Sequence, residues 1–288
     1  MKNSPVSNFL SLIKFSHTLF ALPFALIGYF LAIEFSVYTF DWILLVKVIL
    51  CMVFARSAAM AFNRYIDRDI DKANERTAEV REIPKGVISP RNALIFVIIN
   101  AALFVTTTYF INSICFFLSP IALAITLGYS YTKRFTALCH LILGVGLSFA
   151  PIGAYLAVTG TFAWLPLYFS FAVLFWVAGF DLIYSLQDEE FDKSMGLNSI
   201  PSVIGKKASL SLSVFFHLIT ASFILYASYA AEANTFFWLG SIVFIALLFY
   251  QHLLVKPNDL SKVNLAFFTT NGIASVIFSI FVIVSFYL

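Results

Sequence analysis

Nine stretches of this chain run for about 20 residues with almost no charged side chains, the length a helix needs to cross roughly 30 Å of hydrocarbon at 1.5 Å per residue. They lie at about 16–33, 42–62, 92–111, 114–132, 138–158, 162–186, 208–230, 234–255 and 263–287. Two longer uncharged runs divide at the turn signals Asn112-Ser113 and Thr159-Gly160-Thr161. A segment surrounded by lipid must satisfy its own backbone hydrogen bonds, which leaves helices or closed barrels. These runs lack period-two alternation and exceed the roughly ten residues of a barrel strand. The expected fold is therefore all-α, a polytopic membrane protein built as a single bundle of about nine transmembrane helices, with residues 1–288 as one domain. The first run carries no small-residue cleavage signature and reads as a span rather than a removed leader. Composition excludes a water-soluble globule: 61% of the 288 residues are hydrophobic and 11% charged, against about 25% charged in soluble domains.

Cytoplasmic loops collect Lys and Arg. All 18 of these residues except Lys47 and Arg56 fall at the N-terminus or in alternate loops, at 63–91, 133–134, 193–207 and 256–262. The opposite loops carry only Glu34, Asp41 and Glu232, and Trp42, Trp164 and Trp238 fall at that end of their spans. The N-terminus is accordingly expected in the cytoplasm, in a cell membrane such as the bacterial inner membrane. The net charge of +3 reflects this topology and gives no sign of nucleic-acid binding. Cys51, Cys115 and Cys139 are odd in number and lack metal-ligand spacing, so they read as small core residues. His17, His140, His217 and His252 look isolated, with His17 near the cytoplasmic entrance, and Lys47 reads as a snorkelling side chain.

Two acidic clusters stand out, each at the cytoplasmic end of an even-numbered span. In the first, Asn63, Asp67 and Asp71 recur every four residues and form one oxygen-bearing stripe, whereas Asp69 points elsewhere. In the second, Asp188 and Asp192 share a face, with Asp181 about two turns deeper. Their matching positions suggest two related halves of about four helices each. Opposed carboxylates repel unless cations lie between them, and hard oxygen ligands suit Mg²⁺, which commonly bridges to substrate phosphates. Solvated helix ends paired with nearby Arg and Lys are the plainer alternative for either cluster alone.

Asn63-x3-Asp67-x3-Asp71 and Asp188-x3-Asp192 resemble the two aspartate-rich motifs of the UbiA superfamily of intramembrane prenyltransferases. The resemblance runs from Lys14-Phe15-Ser16-His17 through Tyr129-Ser130-Tyr131-Thr132-Lys133 to Gly196-Leu197-Asn198-Ser199. It implies a nine-helix bundle, with its active site open to the cytoplasm. It also implies transfer of a polyprenyl group from an allylic polyprenyl diphosphate to an aromatic ring. Asp67, Asp71, Asp188 and Asp192 would bind Mg²⁺ as catalytic acids with Asn63 as a further ligand, and Asp181 would join them or orient the acceptor. Arg76, Arg81 and Lys133 are candidates for diphosphate contacts, and Tyr129 and Tyr184 for hydrogen bonds or a π-face toward a cation. Arg56 lies mid-span, seven residues before Asn63 and on the same face, where a buried guanidinium needs a partner; the resemblance implies that this partner is the carboxylate of an aromatic acceptor, and an internal ion pair with Asp181 is the alternative.

The implied acceptor is 4-hydroxybenzoate, in quinone biosynthesis. After Arg81 the chain reads Glu82-Ile83-Pro84, where many hydroxybenzoate enzymes place proline directly, and a dihydroxynaphthoate of menaquinone biosynthesis satisfies the same carboxylate logic. Haem or chlorophyll prenylation stays open within the superfamily. A transporter is disfavoured because its acids would sit near the bilayer midplane, and a phosphatidyl-type transferase because its longer acidic pattern is missing.

Overall fold

The computed structural model describes residues 5–13 and 20–288. Its short first helix, α1 (Pro5–Leu12), precedes α2 (Leu22–Glu34), α3 (Trp42–Ile66), α4 (Arg68–Ala73) and α5 (Glu75–Ala78). Then follow α6 (Pro90–Tyr109), α7 (Ser113–Thr132), α8 (Cys139–Thr159), α9 (Trp164–Ser185) and α10 (Glu189–Ser194). The chain ends with α11 (Ile200–Ala230), α12 (Thr235–Leu254) and α13 (Asn271–Ser285), the last preceded by a π-helical turn, Leu265–Thr270. Among the described residues, eight segments are long and apolar enough to span a membrane. The expected first span is the exception. Helix α2, 13 residues long, covers only its second part, and positions 14–19, with His17, lie outside the described residues. The protein is an all-helical, integral membrane bundle.

Polar residues start the helices where apolar periodicity could not. Asp41 accepts from Ile43 N (2.7 Å) and Leu44 N (3.3 Å) at the start of α3, and Asn234 accepts from Phe236 N and Phe237 N, both at 3.1 Å, at the start of α12. Asn112 caps α7 through Cys115 N at 2.9 Å and also donates to the Leu156 carbonyl at 2.8 Å, tying that turn to α8. Helix α11 starts eight residues before the expected span. Ser199 and Ser202 form a reciprocal capping box over Pro201, and the backbone breaks at Gly205 with φ 79°. The break and the adjacent Lys206 and Lys207 hid this first turn from the apolar pattern.

The core forms around α9, which packs between α8 and α11 and buries Phe169, Val173, Trp176 and Val177. Phe24 of α2 packs at a tilt against Trp176, ring centroids 5.2 Å apart, and Phe244 of α12 lies 4.9 Å from Phe278 of α13. Gly28 is where α2 meets α8: a Cβ there would fall inside the Pro151 carbonyl, the small-residue contact typical of membrane helices. Trp42 and Trp164 are 71% exposed at their helix starts, as expected of interface tryptophans, while Trp176 is a core residue. Phe117 and Phe135 point outward at 73% and 69% exposure, an apolar surface suited to lipid. Lys47 reaches the Phe110 carbonyl at the end of α6, 2.7 Å away, so its ammonium caps a helix C-terminus.

Candidate active site

Both acidic clusters sit where a long helix breaks and a short amphipathic one follows. Helix α3 ends at Ile66, and Asp67 (φ −89°, ψ 4°) turns the chain into α4. Backbone bonds from Asp67 N to Asn63 O (2.9 Å) and Asp71 N to Asp67 O (2.7 Å) cross the break and keep the four-residue register. Helix α9 ends at Ser185, and a single 3-10 turn, Leu186–Asp188, leads into α10. Asp69 is exposed beside Arg68.

These acids meet cations from neighbouring elements. Asp67 is 2% exposed and binds Lys133 Nζ at 2.7 Å and Arg134 Nη2 at 3.0 Å, which joins α3 to the end of α7; Asn63 Nδ2 donates to it at 3.2 Å. Asp71, 3% exposed, pairs through Oδ1 with Arg81. Asp188 accepts from Arg76 Nε at 2.9 Å and Asn74 Nδ2 at 3.0 Å, and Arg76 Nη2 closes the second arm of a bidentate pair. Arg76 also donates to the Tyr184 hydroxyl at 3.1 Å and stacks over its ring. Burial works against the Arg76 cation, but the Asp188 carboxylate outweighs it and holds the guanidinium above its usual pKa. Asp181 lies deeper and pairs with His140 Nδ1 at 2.7 Å.

A cavity of about 1040 Å³ opens from this cluster into the bundle between α3, α7, α8 and α9. Arg56, Asn63, Asp67, Arg76, Arg81, Tyr129, Lys133, Asp181, Tyr184, Asp188 and Asp192 all line it. Of the sequence candidates only Asp71 is absent from the wall, because it sits behind Arg81. Farther in, the lining turns apolar, with Phe104, Leu118, Phe162 and Phe171. Arg56 has no ion pair among the described residues, and its Nε is buried without a hydrogen-bond partner. The alternative pairing with Asp181 is therefore not formed, since His140 takes that carboxylate.

A divalent cation can be judged against these donors. Among the described residues no three His, Cys, Asp or Glu groups converge on one point, and most of the carboxylates are neutralised by basic side chains. The donors are nonetheless hard oxygens, and Asp71 Oδ2 is buried with no partner at all, an orphan that a cation would satisfy. The residues fit such an ion.

Several participants escape sequence reasoning. Asn74 and Arg134 carried no motif signal beyond standing in basic loops, and His140 looked isolated. Two further histidines are also partnered: His217 Nδ1 lies 2.7 Å from His252 Nε2. The reading of these three histidines as isolated is corrected, since helix packing rather than spacing pairs them. All three cysteines are free, half-buried and on the cavity wall; Cys115 also packs against the core, so the reading as core residues is corrected for Cys51 and Cys139.

The profile of the UbiA prenyltransferase family matches residues 21–273. The chain is similar to the 4-hydroxybenzoate octaprenyltransferase of Nitrosomonas europaea, 31% identical over 242 residues covering 83% of this chain and 81% of that protein. The same enzyme of Herminiimonas arsenicoxydans is 28% identical over 238 residues, 83% of each chain. The fold is similar to the apo structure of a UbiA homolog from Aeropyrum pernix K1, with a TM-score of 0.84, 31% identity, and coverage of 93% of this chain and 97% of that one. It is also similar to an Archaeoglobus fulgidus UbiA homolog bound to GPP and Mg²⁺, with a TM-score of 0.74 at 24% identity, over 98% and 100% of the two chains. Given the match across nearly all of the bundle, the chain belongs to the UbiA prenyltransferase family and is a membrane-embedded prenyl-transferring enzyme.

Proposed function

We propose that this aromatic prenyltransferase moves a polyprenyl group from an allylic polyprenyl diphosphate to 4-hydroxybenzoate, with Mg²⁺ as cofactor, in quinone biosynthesis. The observation that carries this reading is one cavity with paired acids and bases at its mouth, an apolar bore behind them, and the unpartnered Arg56 in its wall. We take residues 1–288 as one prenyltransferase domain in the bacterial inner membrane, with the N-terminus and the cavity mouth on the cytoplasmic side. The distribution of Lys and Arg supports that orientation.

In the reaction the allylic carbon–oxygen bond breaks with its electron pair leaving on the diphosphate. A ring carbon of the acceptor attacks the cationic allylic carbon, and the ring then loses a proton. Asp67, Asp71, Asp188 and Asp192, with Asn63, would hold Mg²⁺, which offsets charge on the leaving diphosphate. Arg76, Arg81 and Lys133 contact phosphate oxygens in the same dry site, where oriented cations stabilise developing negative charge. These cations now rest on Asp188, Asp71 and Asp67, so substrate exchanges partners within a charge-balanced cluster. Tyr129 and Tyr184 offer ring faces and hydroxyls to the allylic centre. Arg56 binds the acceptor carboxylate, Asp181 orients the acceptor from its anchor on His140, and the apolar bore holds the prenyl chain and excludes water.

The test is prenyl transfer by the purified protein with Mg²⁺ and geranyl diphosphate or a longer homologue, offering 4-hydroxybenzoate and dihydroxynaphthoates side by side. Prenylated hydroxybenzoate is the expected product. A prenylated naphthoate replaces the acceptor, and no product with indifference to EDTA refutes the reading and returns transport to consideration.

A further inference from the structure

The last membrane segment begins with a widened turn. Residues Leu265–Thr270 are π-helical before the chain tightens into α13. A π turn carries a surplus residue, displaces carbonyls from their usual donors and is frequent at functional sites. Here side chains take up those carbonyls. Thr270 Oγ1 donates to Leu265 O at 3.2 Å, and Asn271 Nδ2 donates to Ala266 O and Phe267 O, both at 3.0 Å. The same amide reaches Gln251 Oε1 at 3.2 Å, while Trp176 Nε1 donates to Asn271 Oδ1 at 2.8 Å. Asn271, Gln251 and Trp176 are all 0% exposed. A polar network at this depth is costly unless its members are satisfied; every polar side-chain atom of Trp176 and Asn271 is partnered here, and only Gln251 Nε2 is left without one.

What the turn positions is an aromatic ring. Phe267, on the cavity wall, lies 4.3 Å centroid to centroid from Tyr184 and 5.2 Å from Phe180. The Tyr184 hydroxyl accepts from Arg76 at 3.1 Å, and Arg76 is the bidentate partner of Asp188. The contact series thus runs from Trp176 and Asn271 through the π turn and Phe267 to Tyr184, Arg76 and Asp188. We propose that Asn271 is a positioning residue for the diphosphate end of the cavity, acting through the π turn and the ring of Tyr184 without touching substrate. The proposal rests on the reading of Arg76 and Asp188 as the diphosphate end.

The test measures binding of geranyl diphosphate with Mg²⁺ by calorimetry, alongside transfer kinetics, on full-length Asn271→Ala, Thr270→Val, Tyr184→Phe and the Asn271→Ala/Tyr184→Phe double variant. Asn271→Ala should weaken geranyl diphosphate binding about fivefold to tenfold, the order of one buried hydrogen bond, with the acceptor KM unchanged. Thr270→Val, nearly isosteric, should do the same more weakly. The double variant should bind no worse than the weaker single, because both act on one contact series. Independent, multiplicative losses, or equal damage to both substrates, would overturn the proposal. If Asn271→Ala fails to fold, Thr270→Val decides: selective weakening supports the proposal and wild-type binding overturns it. Wild-type protein that binds geranyl diphosphate but prenylates no aromatic acceptor would remove the functional reading alone, since the binding comparison still stands.

Discussion

Replacing Arg56 with methionine should make the protein more stable and worse at binding its acceptor. Arg56 sits in the wall of the cavity with no ion pair among the described residues and a buried, unpartnered Nε. An unsatisfied buried donor costs about 1–3 kcal/mol, and methionine fills a similar length without any donor. At roughly 2–4 °C per kcal/mol for a chain of this order, Arg56→Met should raise Tm by about 2–12 °C in detergent. The same guanidinium is free to meet a carboxylate with charge-assisted hydrogen bonds, worth about 1.5–3 kcal/mol. Its loss should therefore raise the KM for 4-hydroxybenzoate roughly 10- to 150-fold while leaving the KM for the prenyl diphosphate unchanged. Paired measurements of thermal unfolding and steady-state kinetics read both effects, and a phenol lacking the carboxylate should be insensitive to the substitution. A lower Tm would mean that Arg56 has a structural partner, and an unchanged acceptor KM would refute its carboxylate role.

Asp67→Ala and Asp188→Ala should each abolish prenyl transfer while leaving a monodisperse, folded protein on gel filtration. The Lys133 and Arg134 side chains released from Asp67 are 27% and 32% exposed, so they rehydrate. The stability loss should then be about 1–3 kcal/mol rather than the 3–5 of a fully buried broken pair. Chelation with EDTA should stop transfer and excess Mg²⁺ restore it; full activity in EDTA would exclude a metal at Asp71 and its neighbours. Gly28→Val should lower Tm by forcing α2 off the Pro151 carbonyl, an overpacking cost of about 1–3 kcal/mol, whereas Gly153→Ala, with nothing within 4 Å of the added Cβ, should leave it unchanged.

Apolar run length by itself determined that this chain is a helical membrane bundle, because lipid leaves the backbone few ways to satisfy its hydrogen bonds. The four-residue spacing of Asn63, Asp67 and Asp71, and the matching pair Asp188 and Asp192, likewise marked the end of the bundle where acids and bases gather, since short-range helical register is written directly in sequence. What spacing could not carry was partnership across the bundle. Arg76 meets Asp188 and His140 meets Asp181 only because α5 folds back toward α9 and α8 lies against it. The breaks at Asp67 and Gly205 were equally hidden, since helical periodicity registers composition and not a local change of ψ or a left-handed glycine. The 34 phenylalanines show the division most clearly. Their number required a hydrophobic surrounding, but only packing assigned Phe24 and Phe278 to the core, Phe104 and Phe267 to the cavity, and Phe117 to the outer face. One side chain serves all three environments, and the choice among them is made by the neighbours it meets.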